Sequence, residues 1–238
     1  MGIFSYTPQK PGKGVEKGGS NLRRPFLLIA LFFENIWNFI KINFLFLITC
    51  IPVITIGPSL CGLTYFSKCV TTDTHMFLGS EYFEYFKKNF FKGLFASIIN
   101  LIPLASLGVI LLNINAVPHF KMLFLPVILV NVIVIIMSFY VYPMIITYDI
   151  PLWAIYKNAF IFTMIKLPLN ILVLFFFLVV ILLACLIHIG LGNLIMPLMG
   201  YGPALIISLL IPCSVIGSLL NFITTFSVFP TIKKYMEE

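Results

Sequence analysis

Few residues in this chain could do chemistry. The stretch Gly57-PSLC-Gly62 sets a serine near two glycines, but its spacing is not GxSxG and no strand-to-helix turn carries it. The histidines His75, His119 and His188 are scattered, and the cysteines Cys50, Cys61, Cys69, Cys185 and Cys213 contain no CxxC pair. Those cysteines read as small apolar packing residues, not as disulfides or ligands. No Walker A loop, HExxH helix or acidic metal cluster occurs. The apolar runs hold no acid pair, so a proton- or sodium-coupled carrier would lack its usual carboxylates. The expectation is a protein that is not an enzyme, with no catalytic residue, no metal and no cofactor.

What remains is uncharged polar chemistry inside apolar surroundings. Between Cys50 and Leu63 lie Pro52, Thr55, Gly57, Pro58 and Ser59, with no charge among them. Pro52 to Pro58 predicts the outer turn of a broken hairpin, Gly57 supplying a permissive turn and Thr55 meeting a free backbone group. A return helix from Ser59 to about Thr72 would reach roughly 21 Å, short of the ~30 Å hydrocarbon core. Its turn is therefore expected below the outer surface, enclosed by other helices or facing a water-filled cavity. Both a packing turn and a ligand-facing site fit these residues. Further along, Asn100, Asn131, Asn170 and Asn221 are expected to hydrogen-bond between helices, and Pro103, Pro126, Pro143 and Pro212 to kink theirs.

The elements that would position these groups follow from composition. Of 238 residues 61% are hydrophobic and 10% charged, against about 25% charged in a soluble domain. Too few polar side chains exist to cover a globule, so lipid must be the solvent. Long apolar runs, rather than alternating segments, make the spans helical and not a barrel. Gly93–Asn113, Lys121–Tyr148, Leu167–Ile189 and about Pro203–Phe229 are clear spans, and Pro25–Val70 holds an interfacial helix, one span and a shorter helix. The fold class is an all-α membrane protein of about six transmembrane helices with amphipathic interfacial elbows. One transmembrane domain over 25–232 lies between a basic Gly/Pro-rich tail (1–24), expected to be disordered, and a short charged tail (233–238).

Alternating spans put Lys10, Lys13, Lys17, Arg23, Arg24, Lys68, Lys87, Lys88, Lys92, Lys157, Lys166, Lys233 and Lys234 on one side, and Lys121 on the other. That bias makes both termini cytoplasmic and turns the loops Ile114–Phe120 and Gly190–Gly202 outward. The net charge of +7 then suits anionic inner-leaflet lipid rather than nucleic acid.

A threefold pattern runs through the chain. Phe39-IKINFLFLI, Phe86-KKNFFKGL and Ile155-YKNAFIFT each set a lysine and an asparagine before an apolar span. The chain reads as three hairpin units, each led by an elbow. In the elbow Glu81–Lys92, Tyr82, Phe83 and Phe86 are expected to dip into the interface, leaving Glu81, Glu84 and Lys88 on the water side as a partner-docking face.

The run Ile51-PVITIGPSLCGLTYFS-Lys68 resembles the signature of the YesL-like family of bacterial multi-pass membrane proteins. So do Tyr85-FKKNFFKG-Leu94 and Tyr142-PMIITYDIPLWAIYKNA-Phe160. The likeness covers most of the chain from about Ser20 to Lys234. It implies the plasma membrane of a Gram-positive bacterium and a genomic association with carbohydrate ABC importers. The function this suggests is a non-enzymatic accessory subunit touching importer permease subunits. The alternative is a stand-alone permease or channel for a small neutral solute.

Overall fold

A computed structural model describes residues 24–113 and 118–236, and all their regular structure is helical. The basic tail lies outside the described residues except for its last position, Arg24, which opens the first helix. In chain order the helices are α1 (Arg24–Glu34), α2 (Ile36–Thr49), α3 (Ile56–Thr71), α4 (Leu78–Lys88), α5 (Phe90–Asn113), α6 (Pro118–Thr147), α7 (Leu152–Ile165), α8 (Leu167–Met199), α9 (Tyr201–Cys213) and α10 (Ile216–Met236). A 3-10 turn, Val53–Thr55, leads into α3. Five stretches are long and apolar enough to cross a membrane, and a sixth is the pair Pro25–Glu34 and Ile36–Thr49, bent by 77°. By length and hydropathy this is a multi-pass membrane protein.

The threefold pattern has a backbone signature. Single residues separate α1 from α2, α4 from α5 and α7 from α8, with nearly the same dihedrals: Asn35 (φ −108, ψ 13), Asn89 (φ −105, ψ 18) and Lys166 (φ −107, ψ 31). Each break is capped by an amide. Asn35 Nδ2 donates to Leu31 O at 3.1 Å and Asn89 Nδ2 to Tyr85 O at 3.2 Å, each joining the residue's own backbone N–H on the same carbonyl at a helix end. In the third elbow Asn170 does this work from α8, donating to Thr163 O at 3.0 Å. The lysine–asparagine pairs that led each unit in the sequence mark this joint only at Lys88-Asn89. Lys41–Asn43 lies inside α2 and Lys157-Asn158 inside α7, because the joint is set by amide capping and not by interface charge.

Each elbow feeds an outgoing helix (α2, α5 or α8), and α3, α6 and the α9–α10 pair return. The outgoing helices have 14, 24 and 33 residues, or about 21, 36 and 50 Å along their axes. The return helices α3, α6 and α10 all pack on one another and form the centre of the molecule. Tyr140, Val141, Met144, Val228 and Ile232 are fully buried there. At the elbow end Lys92 Nζ reaches Asp149 Oδ1 at 2.8 Å, tying α5 to the α6–α7 loop. That ammonium holds the exposed Asp149 carboxyl below its ordinary range.

Several boundaries differ from expectation. The segment Gly190–Gly202 is not an outer loop. Its apolar run keeps α8 helical to Met199, and the chain reverses at Gly200 with φ +80, a value glycine adopts without strain. The return stroke of the first hairpin is longer than 14 residues: with the 3-10 turn it covers Val53–Thr71, 19 residues, or about 28 Å. At the C-terminal end α10 runs through Lys233 and Lys234 to Met236.

Candidate functional site

The broken hairpin divides into two halves. Its turn is not enclosed by other helices: Ile51 is 77%, Val53 69% and Ile54 61% exposed, and Pro52 is exposed too. It tolerates that position because it satisfies its own backbone. Thr55 Oγ1 donates to the Thr49 carbonyl and, at 2.6 Å, to Pro52 O, while Ser59 Oγ donates to Thr55 O at 2.7 Å. The other half faces inward. Gly57, Pro58 and Ser59 are buried in the first turns of α3, and Gly57 forms no turn of its own. It is small because α5 lies against it: a Cβ at Gly57 would strike the Gly93 carbonyl, and one at Gly93 would come within 2.9 Å of Gly57 C and Pro58 N. This is close helix approach through small residues, the usual packing device in lipid.

The elbow α4 is likewise divided. Tyr82 does not dip into the interface. It is fully buried, with its hydroxyl 2.7 Å from Thr49 Oγ1 and its ring against Gly62. Phe83 stays exposed. Glu84 and Lys88 are exposed, with Lys88 Nζ 5.6 Å from the Tyr85 ring centre. Glu81 is half-buried and accepts the Phe77 amide at 3.3 Å, closing the first turn of α4. That bond uses one carboxylate oxygen; the other, Oε2, is buried without a hydrogen-bond partner among the described residues.

Polar side chains converge at the centre instead. Asn43 of α2, fully buried, spans the break between α9 and α10, where Pro212 interrupts the ladder. Its Nδ2 donates to Cys213 O at 2.6 Å and its Oδ1 accepts the Ser218 amide at 2.9 Å. Gly217 makes room, since a Cβ there would sit 2.7 Å from Asn43 Oδ1. Lower on α10, Asn221 Nδ2 donates to Thr64 Oγ1 at 3.0 Å, and its Oδ1 accepts from Ser67 Oγ at 2.8 Å. The other interior asparagines also bond between helices: Asn131 donates to Pro103 O at 3.0 Å, Tyr140 donates to Asn170 at 2.6 Å and Tyr156 to Asn100 at 3.2 Å.

Beside this network lies a cavity of about 400 Å3, within the ~300–1,000 Å3 usual for small-molecule sites. Its polar lining is Thr64, Ser138, Tyr142, Asn221, Thr224 and Thr225; Phe46, Phe139 and Phe177 add aromatic faces, and no lining residue is charged. The hydroxyl protons are turned back on the protein: Thr64 donates to Leu60 O at 2.6 Å, Ser138 to Ile135 O at 2.6 Å and Thr224 to Asn221 O at 2.9 Å. The lone pairs of Ser138 and Thr224 are left as acceptors, whereas Thr64 Oγ1 already accepts the Asn221 amide. The cavity thus suits an uncharged guest that donates hydrogen bonds. It was not foreseen from the sequence. Its walls come from α2, α3, α6, α8 and α10, and only the serine and threonine content of α3 and α10 could have hinted at it.

The class these features define is a multi-pass α-helical membrane protein with an uncharged cavity among its return helices. Within the chain, residues 39–114, from α2 to the end of α5, match the family described as "Protein of unknown function, DUF624". That stretch includes the Gly57–Gly93 contact. No curated protein and no solved structure matches the chain.

Proposed function

We propose that the protein is a non-catalytic membrane component of neutral-solute uptake, holding a small hydroxyl-rich molecule of the carbohydrate class between its return helices. The observation that carries this reading is the cavity lining, which offers hydroxyl acceptors and aromatic faces without a charge. A charged guest would be desolvated there without compensation, whereas a polyol donates to the acceptors and lays its C–H faces on the rings. The test is thermal stabilisation of the detergent-purified protein by a panel of neutral sugars and polyols. At least one should raise the melting temperature. Replacing Thr64 and Thr225 by valine should weaken its binding about tenfold, the equivalent of ~1.4 kcal/mol. A panel without effect on the native protein would end the reading.

Two settings fit such a component. The first is an accessory subunit beside the permease subunits of a carbohydrate ABC importer. It is favoured by the Leu167–Leu198 span, whose most apolar 18 residues are only 6% buried, leaving a tall apolar hairpin free to meet other helices in the bilayer. The second is a stand-alone permease for a small neutral solute, favoured by the discontinuous α9–α10 helix next to the cavity. Recovery of importer subunits with the protein in mild detergent separates the first from the second. In either setting the lysine-bearing elbows would face the cytoplasm of a Gram-positive bacterium, against anionic inner-leaflet lipid.

A further inference from the structure

We infer that the α8–α9 hairpin carries a lipid site, seating an uncharged, hydroxyl-bearing headgroup in a polar recess near its tip and an acyl chain in the apolar recess beneath. The polar recess, of about 200 Å3, is lined by His188, Asn193, Tyr201 and Ser208 among others. The two helices meet closely there: a Cβ at Gly192 would stand 3.6 Å from Ser208 Oγ. The apolar recess, of about 300 Å3, is lined by Ala184 and Ile187 of α8, Ile211 and Pro212 of α9 and Leu219 of α10. Ile187 adjoins His188 in the chain and Ile211 lies one turn from Ser208, so the recesses follow one another along the hairpin. No Asp, Glu, Lys or Arg lines either.

Depth gives the recesses their occupant. Counted from Leu167, which opens α8, Ala184 and Ile187 stand about 26 and 30 Å along the axis and His188 about 32 Å. The hydrocarbon core ends at ~30 Å and headgroups follow. The apolar recess thus meets acyl chains of the leaflet opposite the elbows, and the polar one meets their headgroups. Tilt moves both together and keeps their order. In the polar recess His188 Nδ1 is buried without a hydrogen-bond partner among the described residues, a state buried polar atoms rarely keep. A hydroxyl satisfies it in either tautomer, donating to the bare nitrogen or accepting from N–H. Ser208, fully buried, donates to Leu205 O at 3.1 Å and so has lone pairs for a second donor. Water would meet the nitrogen but not fill the apolar recess below it; a lipid does both. A phosphate in the polar recess would find no cation to balance it, which selects a sugar-type headgroup such as that of a glycosyl diacylglycerol. Chains gain nothing by leaving bulk lipid for an apolar groove, so the headgroup contacts supply the preference.

The experiment uses the full-length protein in mild detergent, with bound lipid measured by native mass spectrometry. Three dioleoyl lipids are compared: glucosyl diacylglycerol, phosphatidylglycerol and phosphatidylcholine. The glucosyl lipid should bind about tenfold more tightly than either phospholipid. His188→Phe keeps a ring and removes the nitrogens, and should abolish that preference; Ser208→Ala should reduce it. Ala184→Phe fills the apolar recess and should abolish it as well, size-exclusion profiles confirming that the variants remain folded. Thr64→Val, in the central cavity, should leave the preference intact. Equal affinity for the three lipids in the native protein would overturn the inference whatever the variants do, and a preference for phosphatidylglycerol would overturn the headgroup class. A preference that survives His188→Phe or Ala184→Phe, or that disappears in Thr64→Val, would place the lipid elsewhere and overturn the site.

Discussion

In the first hairpin unit the most apolar 18 residues within Val53–Thr71 are 56% buried, whereas in the third those within Leu167–Leu198 are only 6% buried. Both units start from an elbow with the same one-residue break, so the difference arises above it. The return helix α3 carries Gly57, Ser59, Gly62, Thr64 and Ser67, all buried. The outgoing helix α8 is two-thirds Leu, Ile, Val and Phe, and its buried positions are Asn170 and Val173. In water this order would be reversed. In lipid the apolar helix gains nothing by going inside, so small residues that allow close approach and polar residues that need partners decide which helix is central.

The sharpest way to break this contrast is to enlarge a glycine in each unit. Gly57→Leu forces a side chain into the backbone of Gly93 and should leave no monodisperse protein on fluorescence-detected size exclusion, the cost exceeding the ~1–3 kcal/mol usual for overpacking. Gly190→Leu in α8 meets nothing within 4 Å and should elute as native. A smaller effect is expected at the contact between the two units. Asn43→Ala removes both partners of the α9–α10 break, stranding Cys213 O and the Ser218 amide, and should lower stability by about 2–4 kcal/mol in a denaturation assay. Asn43→Gln, with the same groups on a longer arm, should recover part of that loss. The smallest effect belongs to Leu182→Ala, 58% exposed on α8, which should leave the melting temperature within the spread of replicate measurements. A large loss there would show that the third unit is not lipid-facing.

Much of the architecture was legible because apolar runs of about 20 residues admit few alternatives. The elbows and their threefold recurrence could also be read, but the register was wrong in two of the units. Lysine and asparagine before a span report the membrane interface, whereas the joint itself depends on where an amide can reach back four residues, as at Asn35 and Asn89. Gly57 shows a second limit. A glycine in a turn and a glycine under a crossing helix look alike until the partner, Gly93, is known. The cavity was illegible for the same reason: each of its walls is an ordinary helix face, and only their convergence from α3, α6 and α10 gives the site its form.

The unequal outgoing helices, of 14, 24 and 33 residues, also bear on the bilayer itself. A membrane of uniform thickness cannot match apolar lengths of about 21 and about 50 Å at once. Lipid beside the first unit is drawn thin, while beside the third it must stretch or the hairpin must lean, each ångström of mismatch costing a fraction of a kcal/mol. The lean of the whole bundle is thereby coupled to membrane thickness: longer acyl chains relieve the third flank and burden the first, and shorter chains do the opposite.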